Sequence, residues 1–146
     1  LSTLHANSPS DALNRLETMV LMSGIEIPVS AIREYIEKAI DIVVNIERLS
    51  DGKRKVTSIC EVVGMKDGEI KLKEIFAFKQ KGLTTNGEVD GAFVLYKYVP
   101  KVYYKIKSKG VSSIDDIFEP FIKEEKEKLE KEHREDTKTK NKKKNK

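Results

Sequence analysis

In the opening stretch "LSTLHANSPSDALNRL" one imidazole, His5, stands among small hydroxyl and amide groups, Ser2, Thr3 and Asn7, just ahead of a helix start. An imidazole can donate a hydrogen bond, move a proton or bind a metal, and hydroxyls and amides around it suit an anion. Arg15 is the second candidate, since it shares the following helix with an apolar stripe yet points elsewhere. Each also has a plainer reading. A histidine at a strand end bonds a neighbouring carbonyl, and an arginine on a helix surface is solvated. Arg48 and Arg54, on either side of a turn, are weaker candidates.

Most other chemistry is excluded by residue type and spacing. The two histidines, His5 and His133, and the single Cys60 are too far apart in sequence for a zinc-like ligand set. Neither GxSxG nor a Cys, His and acid order is present, so hydrolase logic fails. The nearest fragments to a phosphate-binding GxxxxGK[ST] loop, "DGKR" and "KQKG", lack its length and its hydroxyl residue. Cys60 lies among Ile59, Val62 and Val63, where a buried, inert thiol is expected rather than a reactive one. A single cysteine forms no internal disulfide, and a reducing cytoplasm fits that usage.

Charge argues against a nucleic-acid surface. The chain has 146 residues and a net charge of +4, but residues 1–118 carry 17 Lys or Arg against 16 Asp or Glu, a net of +1. Residues 119–146 carry 11 against 8, a net of +3, and the end, "TKTKNKKKNK", has six lysines with no acid and no apolar residue. That pattern reads as a solvated, disordered tail over 137–146. Aromatic and basic residues interleave only in "LYKYVPKVYYKIK", so no base-reading face is expected. No apolar run approaches the roughly 20 residues that cross a bilayer, and no secretory signal is seen.

The scaffold around His5 can be read from pattern. "LSTLHA" reads as a short strand, and because Leu1 stands inside it, the chain reads as starting at a cut. Ser8 caps a helix that begins at Pro9, with Asp11 completing a box-like start and Gly24 stopping it. Its expected apolar face is Ala12, Leu13, Leu16, Met19 and Val20. A second helix starts near Pro28 with Val29, Ile32, Ile36, Ala39 and Ile40 inward, and with Arg33 and Glu37 paired outside. From "IDIVVNIERL" the period falls to two. Asp51-Gly52 and Asp67-Gly68 then separate three strands of an antiparallel meander. Residues 79–92 are expected as a loop or long hairpin connection before the strand-like "FVLYKY", followed by a short helix, "KVYYKIKSKG". Beyond it, a charged helix over 119–136 is expected from pairs such as Glu124 with Lys128, Glu127 with Lys131 and Glu130 with Arg134. His133 within it is given no role.

The stretch "LSTLHANSPSDALNRLETMVLM" resembles the His-box segment of secretion ATPases, most closely the CpaF-like ATPases that drive Tad (Flp) pilus assembly. The similarity continues through "PVSAIREYIEKAIDIVVNIERLSDGKRKVTSICEVVGM" and "LKEIFAFKQKG", and faintly to "VSSIDDIF". It thus covers residues 1 to about 118. The resemblance implies an α/β fold, the C-terminal part of a RecA-like P-loop ATPase domain made of a His-box strand, two helices and an antiparallel β meander. The whole would be a homo-hexamer on the cytoplasmic side of an inner membrane, docked to platform proteins and using ATP and Mg²⁺ to power pilus assembly or secretion.

By that resemblance, His5 would face the γ-phosphate as a sensing and positioning donor rather than a base. Thr3 and Asn7 would hold the loop around it, and Arg15 would brace it or meet a neighbouring subunit. The phosphate loop and the acidic boxes that hold Mg²⁺ would lie upstream. The family pattern has no counterpart for residues after 118; anionic lipid is one contact their lysines suit. A non-catalytic protein-interaction module, recognising a partner through the meander, is the alternative.

Overall fold

Ser8 and Pro9 set the first helix. The structure, a computed structural model, describes residues 1–124, 126 and 127. Helix α1 (Pro9–Met22) opens with the Ser8 hydroxyl accepting from the Asp11 N–H at 3.1 Å, while Pro9 fills the position whose N–H would be orphaned. Helix α2 (Val29–Ala39) comes after the tight turn at Gly24. The two helices bury Leu13, Ile32 and Ile36, with Leu16, Val20, Ile27 and Ile40 packed around them. Removing each such side chain from water contributes about 1.5–3 kcal/mol. The apolar face of α1 is narrower than its sequence stripe, since Met19 is 57% exposed.

A four-stranded antiparallel sheet supports the helices, in the order β1 (Ile42–Arg48), β2 (Arg54–Lys66), β3 (Glu69–Leu83) and β4 (Val89–Leu95). Val43, Ile70 and Leu72 close the core from the sheet side. The three connections are short hairpins. At Asp67-Gly68 both residues have positive φ, 56° and 76°, which gives the turn the twist that long antiparallel strands require. Cys60 is buried, as its neighbours in sequence suggested, and burial pushes its thiol pKa up.

Several expectations need correction. Residues 1–6 form no strand: they have no ladder partner among the described residues, and a strand exists only by pairing. His5 is therefore not at a strand end. The meander has four strands rather than three, and the loop expected over 79–92 is only the tight connection Thr84–Glu88, closed by Thr84 N–H to Glu88 O at 2.8 Å. Polar residues misled the sequence reading there, because half of a two-sided strand near a sheet edge is solvated. Arg33 does not pair with Glu37; it reaches Glu17 on α1 instead.

The chain divides into two compact units, Leu1–Tyr96 and one that begins at Lys97. The second contains α3 (Lys101–Lys107) and a helical stretch at 115–124, with 126 and 127 also helical. Tyr103 donates its hydroxyl to Asp115 Oδ1 at 2.8 Å, and Lys107 Nζ reaches Asp115 Oδ2 and Glu119 Oε1, each at 3.3 Å. These bonds tie α3 to the helical stretch. The expected pairs with Lys128, Lys131 and Arg134, His133 and the Lys-rich tail over 137–146 lie outside the described residues.

Candidate functional site

The N-terminal segment is held by a single carboxylate. Asp11 Oδ2 accepts from the Asn7 N–H at 2.9 Å and from Arg15 Nε at 3.3 Å. The Asn7 N–H, aided by Arg15, holds the Asp11 carboxyl below its ordinary range. Asn7 and Arg15 are thus joined through one residue, as a cap fixes the chain entering a helix. His5 and Thr3 are exposed, and neither makes a hydrogen bond or ion pair among the described residues. The plain reading of His5, a bond to a neighbouring carbonyl, is not what the structure shows.

A polar cleft of about 330 Å³ opens beside this segment, walled by Asn7, Ser8 and Pro9. Its floor is made by the sheet. On β1, Val43 packs into the core, but the next residues on that side, Asn45 and Glu47, lie beyond the helices. A β-bulge leaves Thr57 without a partner on β1, since Asn45 pairs with Ser58 and Ile46 with Val56. The extra residue turns its hydroxyl toward the cleft. Thr57 Oγ1 donates to Glu47 Oε1 at 2.7 Å, and Asn45 Nδ2 donates to the same oxygen at 2.7 Å.

The opposite wall is Glu74, Ala77, Phe78, Lys79 and Gln80 of β3. The cleft exists because β2 and β3 stop pairing at Ser58 and Ala77, while each stays paired with its outer neighbour. The sheet forks into two hairpin arms. Lys79, with Nζ 5.9 Å from the centre of the Tyr96 ring, has its pKa raised by the neighbouring Tyr96 and, more weakly, by Glu74. Lys55 Nζ crosses the fork to lie 4.2 Å from the centre of the Phe78 ring.

Of the residues singled out in the sequence, only Asn7 lines the cleft; His5, Thr3 and Arg15 do not. Asn45, Glu47 and Thr57 were missed. Their one sequence signal is the polar pair at 45 and 47, where the apolar alternation of the strand breaks. Among the described residues no group of three or more His, Cys, Asp or Glu could hold a metal ion. The arrangement offers hydrogen-bond acceptors and donors on one wall, and the ammonium of Lys79, the carboxylate of Glu74 and the amide of Gln80 on the other.

These features define a mixed α/β chain with an antiparallel meander and a polar cleft. No protein-family model matches the chain, and no curated protein matches it.

Proposed function

We propose that this chain is the C-terminal part of a hexameric secretion ATPase of the CpaF-like kind, in which it supplies the His box. The resemblance over residues 1 to about 118 carries the reading, and one observation supports it: the His5 imidazole is exposed and makes no hydrogen bond or ion pair among the described residues, next to a capped helix start that fixes the chain after it. The RecA-like assignment belongs to the same proposal.

In this reading ATP supplies the free energy for moving pilin or secreted protein. His5 donates a hydrogen bond to the terminal phosphate, where charge develops as the phosphoryl group leaves. Thr3 and Asn7 shape the segment, and Asp11 links Asn7 to Arg15, so that Arg15 braces it. Mg²⁺ would be held by residues outside this chain. The motor would work at the cytoplasmic face of an inner membrane with platform proteins as partners; no described helix is long and apolar enough to cross a membrane.

The test is turnover of the hexameric polypeptide that carries this segment. His5→Ala should leave nucleotide affinity near wild type and lower ATP hydrolysis by about a hundredfold, as for loss of a transition-state donor. Unchanged turnover ends the proposal.

A second reading, a non-catalytic interaction module, is favoured by the exposed Val44 and Ile46 of the edge strand β1. Binding of a partner that survives His5→Ala and is lost in Ile46→Lys, with no ATP hydrolysis by the complete polypeptide, would select it.

A further inference from the structure

The two hairpin arms are separate below the fork and joined again at their tips. Asp51, in the turn between β1 and β2, accepts the Val89 N–H at the start of β4 through Oδ2 at 3.0 Å. Lys53 Nζ pairs with Glu88, in the turn between β3 and β4. Lys55 reaches the Phe78 ring from the same arm. Positions 51, 53 and 55 recur at intervals of two, and all three side chains cross to the second arm.

These cross-arm contacts differ in kind from the rest of the sheet. Above the fork, β2 and β3 are joined by a backbone ladder from Ser58 and Ala77 to the Asp67-Gly68 turn, interrupted by bulges at Ile75 and Val63. Below it, β2 and β3 share no ladder pair, and side chains of the first arm reach the second; both partners of the Lys53 to Glu88 pair are more than half exposed. Exposed pairs of that kind are weak and screened by salt. Two bulges flank the fork, at Thr57 in β2 and at Ile75 in β3, where Ile59 pairs with Phe76 and Cys60 with Glu74. Bulges bend and twist a strand locally, so the fork is a place where the arms can pivot without breaking a ladder bond between β2 and β3.

We propose that the arms are a hinged clasp over the polar cleft, closed by Asp51 and Lys53 on Glu88 and Val89, and pivoting at Ser58 and Ala77. Opening separates the wall carrying Asn45, Glu47 and Thr57 from the wall carrying Phe78, Lys79 and Gln80. It widens the cleft beside Asn7, Ser8 and Pro9, and so alters the surroundings of the segment that leads from His5 into α1. The clasp rests on the fork alone and stands whether or not the chain belongs to an ATPase.

Cys60 reports the state of the clasp. It is the chain's single cysteine, 3% exposed, two positions along β2 from Ser58, which lines the cleft. Its reaction with an aromatic disulfide reagent therefore needs the cleft to open. The double variant Asp51→Ala/Lys53→Ala should raise the labelling rate of Cys60 about tenfold and speed exchange of the Val89 amide by a similar factor, as expected when a bond to a charged acceptor is lost. Lys71→Ala, which removes an exposed pair with Glu69 at the far end of the sheet, should leave both rates unchanged. The amide exchange of Ile32 on α2 serves as the reference for global unfolding. Cys60 labelling that stays at the wild-type rate in the double variant, or that rises only in step with Ile32 exchange, overturns the clasp.

Discussion

Arg33 Nε on α2 donates to Glu17 Oε2 on α1 at 2.7 Å, and the same guanidinium donates through Nη1 to the Gly68 carbonyl of the β2 to β3 turn, also at 2.7 Å. One planar group thus ties two helices and a hairpin, and its bond to Glu17 raises the pKa of Arg33. Lysine has the charge but not the fork.

Arg33→Lys should therefore recover only part of what Arg33→Ala loses. The measurement is the thermal midpoint of three proteins, wild type and the two variants. Arg33→Ala is expected to lower it by several degrees and Arg33→Lys by more than half as much. A lysine variant equal to wild type would show that charge alone matters at this corner.

Gly91 answers a different constraint. A Cβ at this position would lie 2.5 Å from Phe78 Cζ and 2.6 Å from the Lys79 carbonyl oxygen. Gly91→Ala should destabilise the unit by about 1–3 kcal/mol in denaturant unfolding, the usual range for overpacking. Adding Phe78→Ala should not restore stability, because the backbone contact with Lys79 remains and the edge contact of Phe78 with Phe93 is lost. Full rescue by the double variant would refute the backbone half of this account.

Asp51 sets a pH dependence. The Val89 N–H first, then the Lys53 N–H, hold its carboxyl below the usual aspartate range. A depressed folded pKa contributes stability above the unfolded value of about 3.9 and loses it as pH falls through the folded pKa. Unfolding midpoints measured from pH 6 downward should thus fall less steeply below about pH 4 in Asp51→Asn than in wild type. Parallel acid limbs would remove Asp51 from the balance.

What could be read from the sequence was local. Ser8, Pro9 and Asp11 fix a helix start within one turn of chain, and the Asp-Gly pairs fix two hairpins, because a cap or a tight turn is satisfied by its own neighbours. The inward spacing of Ile32 and Ile36 likewise comes from the helical period alone. Where a residue's partner was distant, the sequence was silent or misleading. Arg33 chose Glu17 over the nearer Glu37, and residues 79–83 became a strand because β4 returned to pair with them.

The same division runs through the site. His5, Thr3, Asn7 and Arg15 stand out by residue type and by their place around a helix start, which is information carried in the order of residues. That Asn7 shares a cleft with Asn45, Glu47 and Thr57 was decided only by the tertiary structure. A bulge at Thr57 and the end of the β2 to β3 ladder at Ser58 and Ala77 open that space, and both depend on pairing between strands, which no single stretch of chain determines.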